Sequence, residues 1–259
     1  NEDYQNAVDY YALALKDPQN NQDSDQLYLR WSRGFLHLEP GVDDFEQLDA
    51  WAGMIKLQSE LMWEVEWNVA QYAIGQGLYS VALNRTRKRL QAPMEGPVST
   101  ILDLQLHWME AYLAFLTSDF DQLSTRIEAL LQRISALPAD ALPANKAEQL
   151  LAELKLLLAR TLLSTDKEVS AMLLLEDLRI AHASSEAVQR SYWIEAEWYA
   201  QQRQFQLAQS KVWDLASAFP NSQIAIEALF KAALYCEKRG GEYFLEAIQL
   251  HENFIQRYP

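Results

Sequence analysis

Six times along this chain a large apolar residue stands three positions before a Gly or an Ala inside a helical run. The pairs are Trp31/Gly34, Trp67/Ala70, Trp108/Ala111, Leu156/Ala159, Trp193/Ala196 and Leu229/Ala232. Successive pairs lie 36, 41, 48, 37 and 36 residues apart. A recurrence of this length means a stack of similar units, none of which can bury its apolar face alone.

The residues between the pairs agree with that constraint. Apolar positions recur every three or four residues, and no alternating strand pattern persists. With 8 Gly and 8 Pro in 259 residues, turns are too few for an all-β chain. The periodicity predicts a helix over 2–16, then paired helices over 24–38 and 43–57, 59–75 and 78–91, and 98–117 and 119–136. Three more pairs follow over 145–164 and 167–183, 186–202 and 205–219, and 222–238 and 242–257. Pro93, Pro97, Pro138, Pro143 and Pro220 fall between helices, where a missing N–H costs nothing. Gly75-Gln76-Gly77 and Gly240-Gly241 break helices. Asp23, Ser24, Ser118 or Asp119, and Ser222 are the expected N-caps. The irregular stretch 134–147 reads as a lengthened loop within the array, since the repeat phase resumes after it.

The expected fold is all-α, a helix–turn–helix repeat solenoid of about 13 helices. It spans 1–259 as one array: a half repeat over 2–18, then repeats over about 24–57, 59–93, 98–138, 145–183, 186–220 and 222–259. The array opens on half a repeat and stops at a repeat-closing Pro, with no polar cap. The chain is therefore expected to be a segment of something longer, or to self-associate through its open ends. Its opening Asn-Glu-Asp-Tyr reads as a mature or trimmed start without a signal peptide.

Charge narrows the partners. Lys and Arg total 22 against 36 Asp and Glu, a net charge of −14. That disfavours nucleic acid and anionic membrane surfaces, both of which select basic faces. Steering favours a basic or neutral protein partner, although acidity also serves solubility. No apolar run approaches the ~18 residues of a membrane helix, so no membrane insertion is expected. The single cysteine, Cys236, cannot form an internal disulfide and leaves the compartment open.

The units carry a finer pattern. In 192–220, Tyr192, Ala196, Tyr199, Phe205, Ala208 and Pro220 stand at fixed offsets, with Pro220 twelve residues after Ala208. Ala70, Gly77, Tyr79, Ala82 and Pro93 follow the same frame, and Phe244, Ala247 and Pro259 close the last unit. The N-terminal Tyr4, Ala7, Tyr11, Ala14, Leu15 and Pro18 read as the second helix of a repeat. In these residues the chain resembles the tetratricopeptide-repeat family. Leu48 and Leu123, bulky where Ala is usual, and intervals above 34 residues depart from it. The resemblance implies a right-handed superhelix whose first helices line a concave groove. Phe219-Pro220-Asn221-Ser222 and the closing Phe254 to Pro259 further resemble tetratricopeptide proteins of the Gram-negative envelope, of the outer-membrane assembly lipoprotein and periplasmic coordinator types. The implied setting is periplasmic or envelope-associated, with the cytoplasm as the alternative.

In that frame Trp31, Trp67, Trp108 and Trp193 face the groove, beside Glu64, Gln71, Tyr112, Arg160, Arg190 and Glu197. Mixed aromatic and polar groups suit a protein or peptide segment more than a metal or a phosphate. The competing reading makes the indoles core filler between helices set apart by long repeats. His37, His107, His182 and His251 are scattered without zinc-ligand spacing, so no metal and no cofactor are expected. Cys236, on an apolar helix without a nearby His, reads as a buried thiol. Glu64/Glu66, Asp43/Asp44 and Glu195/Glu197 read as solvated faces and not as acid–base pairs. No phosphate loop, Gly-x-Ser-x-Gly or His-Glu-x-x-His occurs. The function expected is a non-catalytic scaffold or adaptor, not an enzyme. Its alternatives are a closed α/α-toroid enzyme using carboxylates, and a structural segment whose groove is filled by its own parent chain.

Overall fold

A computed structural model of the chain describes residues 2–17, 24–41, 44–45, 48, 60–92, 99–138, 140–183 and 185–257. The described residues are helical, without strands. Twelve α-helices occur among them: α1 (Glu2–Lys16), α2 (Ser24–Leu36), α3 (Glu60–Gly75), α4 (Tyr79–Gln91), α5 (Thr100–Leu116), α6 (Leu123–Ser135), α7 (Ala144–Ser164), α8 (Glu168–Ala181), α9 (Glu186–Gln201), α10 (Phe205–Ala218), α11 (Gln223–Lys238) and α12 (Phe244–Arg257). A 3₁₀ turn, Gly241–Tyr243, precedes α12. The helix expected over 43–57 lies outside the described residues apart from Asp44, Phe45 and Leu48.

The helices group into two compact units, Asn1–Arg126 and Ile127–Pro259. In the first, α1 packs on α2, α2 on α3, α3 on α4 and α4 on α5, while α3 also touches α5. In the second, α7 packs on α8, α8 on α9, α9 on α10, α10 on α11 and α11 on α12. There α7 also touches α9, and α9 touches α11. Each unit thus shows neighbour packing in sequence order, with first helices also meeting the next first helices. That is the contact pattern of an all-α helical repeat.

The phase of the repeat is written in backbone geometry. Ala70, Ala111, Ala159, Ala196 and Ala232 are all buried, at 0–3% exposure, and Gly34 is buried on α2 with Val8 against it. Seven residues after four of these stand Gly77, Ser118, Asp166 and Arg203, all left-handed with φ of 73°, 58°, 57° and 60°. The next N–H then reaches back to a carbonyl inside the helix: Leu78 to Ala73 at 2.8 Å, Asp119 to Ala114 at 2.9 Å, Lys167 to Leu162 at 2.9 Å and Gln204 to Tyr199 at 2.9 Å. This six-to-one closure satisfies carbonyls that the helix end would otherwise orphan, and it turns the chain sharply into the second helix. Ala82, Leu123, Ala171 and Ala208, each twelve residues after the small residue, are fully buried. Leu123 therefore keeps its place despite its bulk, and Leu48 is likewise fully buried.

Two expected caps are corrected. Ser118 and Asp119 do not cap α6, which begins only at Leu123. Ser118 instead takes the left-handed position that closes α5, and Asp119 accepts from Arg87 at 2.7 Å. Ser99 and Ser185 cap α5 and α9, accepting from Leu102 and Ala187. Ser222 stands at the N-cap of α11, but its hydroxyl donates to Gln189.

A non-glycine residue in the left-handed region costs about 1 kcal/mol. Gly77→Ala is expected to lower stability by about that amount. Asp166→Gly should raise it by about 0.5 kcal/mol, since relieved strain exceeds the added freedom of the unfolded chain. Urea unfolding with unchanged m-values checks both.

Candidate functional site

The four indoles three residues before the small positions do not share one environment. Trp31 is 1% exposed and stacked between Tyr28 (centroids 5.9 Å apart) and Phe35 (5.1 Å). It is part of the core of the first unit and offers no face to a ligand. Trp67, Trp108 and Trp193 are each half-buried. The difference follows from their neighbours. Trp31 sits in an aromatic run along α2, whereas Trp67 and Trp193 lie at the margins of their apolar clusters and Trp108 stacks on the single ring of Tyr112.

In the first unit, Trp67 packs at the margin of a cluster formed by Trp63, Leu102 and Leu106. Trp63, which sequence reasoning passed over, is the buried indole of α3, at 5% exposure. Trp108 stacks on Tyr112, with centroids 5.2 Å apart and planes within 6°, as expected for aromatic residues one turn apart. Its Nε1 is buried without a hydrogen-bond acceptor. Glu64 accepts from Arg33 of α2, and Gln71 is exposed.

In the second unit, Trp193 belongs to the margin of the α9–α11 core, and the Lys231 ammonium lies 5.8 Å from its ring. Arg190 of α9 pairs with Glu153 of α7, so two positions six residues before successive small residues meet across neighbouring first helices. Arg160 is half-buried and Glu197 exposed. Burial holds the Tyr235 phenol above its usual range, and the negative charge of Glu197 adds to it.

The carboxylates depart most from expectation. Glu66 and Glu195 are not on solvated faces; they are 7% and 5% exposed, and Glu110 is 8% exposed. Glu66 receives Arg85 in a two-pronged contact at 3.0 and 3.2 Å. Glu110 and Glu195 stand directly before Ala111 and Ala196 and are held alike. Arg87 of α4 donates to Glu110 at 2.8 Å, and Arg126 of α6 completes the pair. Arg179 of α8 donates to Glu195 at 2.6 Å, with Lys211 of α10 at 3.0 Å. In both places one cation comes from the preceding second helix. The other comes from fifteen residues after the small residue. Arg87 also holds the Asp119 carboxyl below its usual range through their hydrogen bond. Neutralised in this way, these carboxylates are structural ties and not paired acids.

The histidines are dispersed: His37 stacks on Tyr4, His107 faces Asp103, and His251 reaches Glu237 at 2.9 Å. Burial pushes His182 below its ordinary range, and its Nδ1 has no hydrogen-bond partner. Among the described residues no three His, Cys, Asp or Glu side chains stand together as a metal site. Cys236 is buried, its thiol raised by burial, with Sγ 3.7 Å from the Tyr243 carbonyl. No described helix is long and apolar enough to cross a membrane. No family model matches the sequence, and no curated protein matches it.

A double-mutant cycle between Glu195→Gln and Arg179→Met is expected to show a coupling of about 1.5 kcal/mol or more, because the pair is largely withdrawn from water. Chemical denaturation of the four proteins measures it.

Proposed function

We propose that this chain is a non-catalytic, tetratricopeptide-like scaffold that binds a protein or peptide segment through half-buried first-helix indoles, Trp67 and Trp108 in the first unit and Trp193 in the second. The observation that carries the reading is that these three indoles hold the same repeat position and keep part of their surface open, unlike Trp31. Half-buried aromatic side chains on rigid helices make good anchors, because little side-chain entropy remains to be lost on binding. In this reading Gln71 and Tyr112 supply polar contacts in the first unit and Arg160, Arg190 and Glu197 in the second, with Glu64 and Arg190 already oriented by ion pairs. A protein partner in bacterial envelope assembly fits the likeness of Phe219-Pro220-Asn221-Ser222, and the proposed compartment is the periplasm.

The test compares capture by the intact chain with capture by a Trp67→Ala/Trp108→Ala/Trp193→Ala variant whose circular dichroism and unfolding midpoint show it folded. A partner held by the chain is expected to weaken at least about tenfold, one anchor alone being worth roughly 1–2 kcal/mol. Undiminished capture by the folded variant would move the binding face elsewhere. Loss of fold would assign the three indoles to the core.

A further inference from the structure

A second place in the molecule, apart from the first-helix indoles, has the properties of a ligand site. Where the turn from α9 to α10 comes beside the turn from α11 to α12, the second unit holds a solvent-open cavity of about 550 Å³. Arg203, Lys238 and Arg239 line it against a single lining carboxylate, Glu242, with the rings of Phe205 and Tyr243. In a chain of net charge −14, three cations around one hollow run against the general composition.

Local structure gathers them. Arg203 occupies the left-handed position that closes α9, so it sits at the tip of the turn. Lys238 and Arg239 end α11, where cations favour the carbonyl end of a helix. Lys238 stands 5.6 Å from the Phe205 ring, and the Arg239 guanidinium lies 3.7 Å from the Tyr243 ring. Arg239 is partly engaged: it donates to Gln209 at 2.8 Å and stands 3.8 Å from Glu246. Arg203 and Lys238 are exposed and form no ion pair with a described carboxylate. The first turn of α10 also borders the cavity, and its Gln204 N-cap makes no side-chain capping bond. Ala208 is the residue whose N–H takes the Gln204 carbonyl, at 3.0 Å. Phe205, Gln206 and Leu207, which open α10 with N–H groups that have no intrahelical acceptor, line the same cavity.

We propose that this cavity binds a small organic anion, a carboxylate or phosphate group joined to a body that spreads over Phe205 and Tyr243. Two exposed cations without a described carboxylate partner, with Arg239 beside them, recognise anionic oxygens, as Arg and Lys do elsewhere. The volume lies within the range of small-molecule sites and exceeds what a bare inorganic ion fills. No residue lining the cavity belongs to the indole face, so this site stands or falls independently of the scaffold reading.

The test follows amide resonances of the ¹⁵N-labelled full chain at fixed ionic strength, during titration with phenyl phosphate, citrate or inorganic phosphate. Saturable shifts confined to residues 203–207 and 238–243 are expected with phenyl phosphate or citrate, and the tighter of the two identifies the anionic group. Arg203→Gln/Lys238→Gln should abolish them while leaving the rest of the spectrum unchanged. Glu242→Gln should tighten binding roughly threefold by removing the opposing charge. Shifts without saturation, shifts spread over unrelated lysines and arginines, or shifts surviving in the double variant would overturn the site. Inorganic phosphate binding as tightly as phenyl phosphate would overturn an organic ligand.

Discussion

Helices in this chain can pack closely only because each first helix carries one residue with almost no side chain at the crossing point. Ala70, Ala111, Ala159, Ala196 and Ala232 are buried to within a few per cent, and a larger side chain there would push neighbouring helices apart. The other regularities are fixed relative to that residue. After Ala70, Ala111, Ala159 and Ala196 the helix end lies a set distance downstream, so the left-handed turn falls seven residues on. In the same four units the buried contact of the second helix falls twelve residues on. Moving the small residue by one position would rotate its face by about 100° and misplace all three.

The same close approach explains why charged groups are buried beside it. Glu110 and Glu195 precede the small residue and point where the second helices on either side converge. Leaving either carboxylate there alone would cost several kcal/mol. A cation from each flanking second helix offsets that cost and ties three helices together. Such a tie adds little net stability over apolar packing, but it rejects wrong registers, because any slip strands a charge. The repeats can therefore vary in length between small residues while helix pairing stays defined.

Helix positions were legible in the sequence because they rest on apolar spacing and on breakers such as Gly77, Pro143 and Pro220, which act locally. The repeat phase was legible for the same reason, and Leu123 could be placed although its bulk departs from the pattern. The turn at Ser118 was not legible. A serine carries no sign that its backbone will be left-handed, and only the closure of α5 requires it. The buried Glu66 and Glu195 were misread because a carboxylate on a helix looks solvated until the partner from another helix is known. Arg85 for Glu66, and Arg179 and Lys211 for Glu195, are too distant in sequence to suggest the pairing. Trp31 and Trp193 looked equivalent at the same offset, and only the aromatic residues around each decide which is core. The basic cavity could not be foreseen either, since Arg203 and Lys238 meet through the stacking of two turns.

The most direct measurement is the unfolding free energy of five single Ala→Leu variants, at positions 70, 111, 159, 196 and 232, with Ala181→Leu as the exposed control. If close approach at these residues organises the units, each variant should lose about 2 kcal/mol or more while the control changes by less than about 0.5 kcal/mol. Losses of control size at two or more of the five positions would contradict the account.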